Sequence, residues 1–103
     1  MIKFPKHKFN AQRTEVDGIK FDSKKEAKYY QGLLLRQKAG EIIFFLRRIP
    51  FYLPGGVKYV CDFQEFRSDG TVHFIDTKGM KTPMYIAKKK MVEAIYPITI
   101  EEV

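Results

Sequence analysis

Alternation and periodicity divide the chain into segments. From Lys24 to Ala39 the apolar residues Ala27, Tyr30 and Leu34 recur at helical spacing, Gln37 continues the row, and Leu33 and Leu35 stand beside it, so a helix is expected there. Ser23 is a good N-cap, Glu26 three residues on completes a capping-box pattern, and Gly40 is a natural stop. IIFFLRR and IPFYL are rich in branched and aromatic residues and predict one long strand, bent or broken near Pro50. Pro54-Gly55-Gly56 is a turn, VKYVCDFQEF a strand, and RSDG turns it back into TVHFIDTKG. Thr82-Pro83 opens a second helix, with Tyr85, Ile86, Met91, Val92 and Ile95 as its apolar face, and Pro97 ends it. ITIEEV is a last short strand. Ahead of the first helix, Asp17-Gly18 predicts a turn and Ile19 to Phe21 an extended piece.

The order helix, three-stranded meander, helix, strand predicts a mixed α/β layer fold, with the last strand parallel to a neighbour after its helical crossover. Its 103 residues suit one domain. Residues 1–17 are polar and basic and are expected to form an arm; residues 18–103 form the domain. Lys3, Lys6, Lys8 and Arg13 make that arm either a phosphate-gripping segment or a plain tail.

Composition narrows the function. Nineteen Lys and Arg against 12 Asp and Glu give a net charge of +7, the balance of a polyanion binder or of a merely well-charged surface. One cysteine, Cys61, forbids an intrachain disulfide, and with two His it excludes a zinc cluster. No apolar run reaches the ~20 residues of a membrane span, and the basic N-terminus lacks a signal-peptide core. The expected location is the cytoplasm.

The chemistry depends on the register of the RSDG hairpin. A three-residue loop with Gly70 left-handed pairs Arg67 with Thr71 and sets Asp62 opposite Asp76; a two-residue Asp69-Gly70 turn would set Asp62 opposite Thr77. In the first register Asp62, Asp76 and Lys78 project together, because residues two apart on a strand share a face. Two carboxylates so close repel unless a cation compensates. Lys78 is one such cation, and Mg²⁺ is another. Carboxylates around Mg²⁺ in a basic protein form a phosphodiester-cleaving design.

Asp62, Asp76-Thr77-Lys78 and an upstream helix bearing Glu26 resemble the PD-(D/E)XK nuclease superfamily. DGIKFDSKKEAKYY, AGEI, YVCDF, IDTKG and YIAKKKM are similar to short phage- and prophage-encoded members of it. The resemblance runs from about Asp17 to Val103 and implies a restriction-endonuclease-like core. It implies that Asp62, Asp76 and Glu26, with the carbonyl of Thr77, ligate Mg²⁺ or Mn²⁺, and that Lys78 is the motif lysine. It implies a phosphate-directed lysine at Lys88 or Lys90. Cys61 stands where the motif carries Pro. Lys81, Lys24 and Arg13 are further candidates for the DNA backbone.

Each motif has a plainer reading. Glu26 can serve the capping box; Asp62 can partner a buried cation; Asp76 and Lys78 can be a strand-end ion pair. His73 reads as a strand histidine on the face opposite Asp76, and Cys61 as a small buried hydrophobe on that same face. Three successive lysines, Lys88 to Lys90, span about 300° of a helix and cannot all face one phosphate. The expected function is metal-dependent DNA cleavage, on branched DNA or by nicking. Cutting both strands takes two sites, so a homodimer is expected, with a phage or host replication, recombination or packaging protein as a possible further partner. The rivals are a non-catalytic nucleic-acid-binding module of the same fold and an interaction protein using its aromatic surface.

Overall fold

The computed structural model describes residues 13–103; Lys3, Lys6 and Lys8 of the expected arm lie outside them. The elements are β1 (Thr14–Val16), β2 (Ile19–Phe21), α1 (Lys24–Lys38), β3 (Ile42–Leu53), β4 (Val57–Arg67), β5 (Val72–Asp76), α2 (Pro83–Ile95) and β6 (Ile100–Glu102). β1 and β2 form a small antiparallel hairpin. The others form a mixed sheet of order β3-β4-β5-β6, antiparallel until β6, which runs parallel to β5. This is an α/β fold of one four-stranded sheet and two helices. The strand at Thr14–Val16 brings the end of the expected arm into the structure, with Val16 packed on the core.

Local chemistry sets the helix ends. Ser23 Oγ accepts the Glu26 amide at 3.0 Å. At the other end Glu41 N–H donates to Arg36 O and Gly40 N–H to Gln37 O, a Schellman closure with Gly40 at φ +85°. α2 begins at Pro83, its first turn capped by the Thr82 hydroxyl on the Tyr85 amide at 3.1 Å.

The buried stripe of α1 is Glu26, Ala27, Tyr30 and Leu33, packed with Phe21, Ile42, Phe63 and Ile75. The expected stripe was rotated slightly too far, for Leu34 is only partly covered, and Leu35 and Gln37 are exposed. A second cluster under α2 joins Phe51, Tyr59, Cys61, Val92 and Ile100. Ile86 and Ile95, expected in it, are exposed, because only Tyr85 and Val92 of α2 reach full burial.

β3 is continuous through Pro50, which keeps its place opposite Val60. The pairing shifts register near the start of the strand, between Ile42 and Phe44, and two residues before Pro50 the backbone of Arg48 turns to φ +55° without losing register. Arg47, stacked over Phe21, points to the α1 side, whereas Ile49 packs into the α2 cluster. On β4 the same break falls opposite, because the pairs Arg47↔Phe63 and Ile49↔Cys61 set Arg48 across from Asp62. Phe63 therefore belongs to the α1 cluster and Cys61 to the α2 cluster. Strict alternation puts Cys61 on the wrong side, and the expected face holds only beyond this seam. Burial raises the Cys61 thiol to a pKa of about 12, which leaves it an inert hydrophobe.

The β4–β5 hairpin has the three-residue loop. Arg67 N–H donates to Thr71 O at 2.9 Å, and Gly70 sits at φ +87°. Phe63 faces Ile75, so continuing the register brings Asp62 level with Asp76. A Cβ at Gly70 would meet nothing within 4 Å, so the conformation alone constrains the residue. Gly70→Val should cost about 1–2 kcal/mol in urea unfolding; an unchanged midpoint would show that the loop does not need a left-handed residue.

Candidate functional site

Asp62 and Asp76 meet where the β4–β5 ladder stops. Asp76 Oδ1 accepts the Asp62 amide at 3.2 Å, and its Oδ2 accepts the Tyr59 hydroxyl. Asp62 Oδ2 in turn accepts both the amide of Thr77, at 2.8 Å, and its hydroxyl, at 2.7 Å. The two carboxylates thus replace ladder bonds beyond Phe63↔Ile75. Asp76 has no exposed surface, and burial raises its carboxyl pKa, a shift that the nearby Lys78 charge partly offsets.

Glu26 approaches from α1. Its Oε1 accepts the Asp22 amide at 3.2 Å, one residue upstream of the Ser23 amide that a capping box would use. Its Oε2 is buried with no hydrogen-bond partner, as is the Nε of Arg47. Burial first, and then the Asp62 charge, raise the Glu26 pKa above its usual range, while Arg47 lowers it. A desolvated acceptor beside a second carboxylate is costly. It is also the donor chemistry of a hard divalent ion, which takes one or two carboxylates and keeps several waters. Among the described residues, however, no three acidic, His or Cys side chains converge into a ready-made metal cage. Glu26 and Asp62 are thus two candidate carboxylates rather than a preformed metal site.

In front of Asp62 lies a cleft of about 420 Å³, flanked by β3, β4 and the start of α2. Asp62 and Lys78 line it; Glu26, Asp76 and Thr77 do not. Lys78 Nζ lies 5.6 Å from the centre of the Tyr85 ring. Lys88 also lines the cleft and donates to Lys58 O at 3.2 Å.

The other basic candidates lie elsewhere. Lys90 is exposed and does not line the cleft, being about 200° around the helix from Lys88. Lys81 pairs with Glu102 at 3.0 Å. Lys24 and Arg13 are exposed and outside the cleft; from the same turn it is Lys25 that reaches the site, donating to Lys78 O at 3.4 Å.

Sequence reasoning missed Arg48, Lys58 and Tyr59. The first two add cations to the cleft, Arg48 being ion-paired there with Asp22 at 3.4 Å, and the third holds Asp76. A β3–β4 register would have placed Arg48 opposite Asp62. It also missed Glu65, fully buried and bonded by Tyr29, Arg36 and Arg67. That network joins α1 to the sheet away from the cleft, and burial beside Glu65 raises the Tyr29 pKa to about 12. His73 is bound to Glu101 at 2.5 Å, as befits a strand histidine.

Fold and site together describe an α/β domain with a basic cleft backed by buried carboxylates. The family model described as "Protein of unknown function (DUF1064)" matches residues 6–101, and the chain belongs to that family. No curated protein and no solved structure matches it. No helix among the described residues is long and apolar enough to cross a membrane.

The raised Glu26 pKa fixes a sign. The fold favours the protonated acid, so its contribution to stability is present below the ordinary carboxyl range and is lost as pH rises through the raised value. At pH 7 Glu26→Gln should therefore raise the melting temperature in EDTA by about 2–5 °C, and should abolish any upward shift that Mg²⁺ gives the wild type. A lower melting temperature in EDTA would show that the ionised carboxylate is structural.

Proposed function

We propose that the protein is a Mg²⁺- or Mn²⁺-dependent endonuclease that hydrolyses DNA phosphodiester bonds, with a PD-(D/E)XK-type site. The observation that carries this reading is the buried, unpartnered Glu26 oxygen beside Asp62, the carboxylate that lines the cleft together with Lys78. Asp62 and Glu26 would hold the ion, with the Thr77 carbonyl and Asp76 as the further ligands that the motif supplies. When bound, the ion supplies Lewis-acid polarisation of the phosphate and a more acidic water. Lys78 neutralises charge growing on the phosphate oxygens. Lys88, Lys58 and Arg48 hold the flanking backbone electrostatically. Tyr59 keeps Asp76 aimed at the Asp62 amide and so fixes Asp62 in place.

One observation favours a second reading, a nucleic-acid-binding module without catalysis. Asp76 is wholly buried, and both its oxygens carry hydrogen bonds from the protein. Incubation with supercoiled plasmid separates the two. The nuclease nicks or linearises it with Mg²⁺ or Mn²⁺ and not with EDTA, and Lys78→Ala slows cutting by about 10²-fold or more. Cleavage that survives EDTA, or a plasmid untouched under every condition, would remove the metal-nuclease reading.

A homodimer belongs to the same proposal. On the sheet face that α1 leaves open, Phe44, Phe66 and Val72 form a row across three strands, with Leu46 beside them. The Phe44 and Phe66 rings stack at 4.2 Å, yet Phe44, Leu46 and Val72 remain exposed. Phe44→Glu should convert a dimer into a monomer in light scattering. A wild type that is already monomeric at micromolar concentration would sink the dimer.

A further inference from the structure

The cleft that supports the nuclease proposal has two chemistries on its walls. Lys58, Lys78, Lys88 and Arg48 supply positive charge in excess of Asp22 and Asp62, with Arg48 ion-paired to Asp22 at 3.4 Å. Met80 and Met84, one in the β5–α2 loop and the other in the first turn of α2, supply an apolar surface. Both methionines are strongly exposed, at 67% and 65%. Cations suffice for a phosphate backbone, and a duplex lying across the mouth would offer little else. An exposed thioether pair gains nothing from phosphate or sugar. It gains from the flat face of a base, against which a flexible, polarisable side chain packs well. A base reaches such a wall only when it is unpaired, and a cleft of about 420 Å³ is of the size that takes one small organic group rather than a duplex.

We propose that the cleft binds an unpaired nucleotide, with its phosphate on the cations and its base against Met80 and Met84, so that the substrate is single-stranded DNA or a strand unpaired at a branch. This deepens the nuclease reading and rests on it for the identity of the polyanion. The placement also suits the reaction, because Asp62 and Lys78 line the same cleft and a phosphate next to the held base lies beside them. Neither methionine belongs to the hydrophobic clusters of the core, so replacing them leaves the fold's packing intact.

The test is fluorescence anisotropy in EDTA, where the proposed cutting cannot occur. A labelled 15-nucleotide oligothymidylate is compared with a mixed-sequence 15-base-pair duplex. The single strand should bind at least about fivefold tighter, the size of one stacked base. M80S/M84S should lower its affinity to that of the duplex without weakening the duplex, whereas M80L/M84L should keep the preference. Lys58→Gln with Lys88→Gln should weaken both probes and flatten their salt dependence. Equal or tighter duplex binding by the wild type, or an equal loss on both probes in M80S/M84S, overturns the proposal. Circular dichroism confirms that each variant is folded. If the strand preference holds and Mg²⁺ produces no cutting, the nuclease reading alone fails; if Mg²⁺ cuts and the preference is absent, this inference alone fails.

Discussion

The structure depends on a reciprocal lock between two carboxylates. Asp76 takes the amide of Asp62, and Asp62 takes the amide and hydroxyl of Thr77. These bonds begin where the main-chain pairing of β4 with β5 ends. They take over from the ladder bonds that stop there and leave the buried amides of Asp62 and Thr77 satisfied. They hold the end of β5 against the middle of β4, and that fixes where the loop to α2 departs. The cleft wall formed by Lys78, Met80 and Thr82 is set by that departure.

The lock has a cost. It places Asp76 out of contact with solvent, with Glu26 nearly so, and burial makes both harder to ionise. Glu26 satisfies one oxygen and leaves the other without a partner. A fold selected for stability alone would place apolar side chains here. Retaining acids in this position is the kind of local expense that functional sites carry and the rest of the protein offsets. The offset lies in two apolar clusters on either side of the sheet and in the Glu65 network with Arg36, Arg67 and Tyr29.

Much of the arrangement was legible because it is governed locally. Ser23, Gly40, Thr82 and Pro83 mark helix ends by hydrogen bonding and φ preference, and the helices begin and end as those residues require. Gly70 selects the hairpin loop, and the loop selects the register that brings Asp62 level with Asp76. What could not be read is governed at a distance. The change of face at Arg48 and Asp62 has no local signature, because an arginine in left-handed conformation leaves no mark in its neighbours. Arithmetic on odd and even positions therefore misplaced Cys61. The helix lysines were likewise ambiguous until the docking angle of α2 separated Lys88 from Lys90. That Asp76 is sealed behind Tyr59 was invisible, since it depends on the same change of face.

β3 is the outer strand of its sheet and, at 12 residues, its longest. A straight border of that length would invite strand after strand from other molecules, the route by which sheets grow into fibrils. The positive φ of Arg48 distorts it near the middle, Pro50 withholds an amide, and the exposed Arg48 carries charge along it. The distortion that reorients side chains around Asp62 thereby also makes a poor template of the border, so that preparing the cleft and guarding the protein against aggregation are achieved by one turn of the backbone.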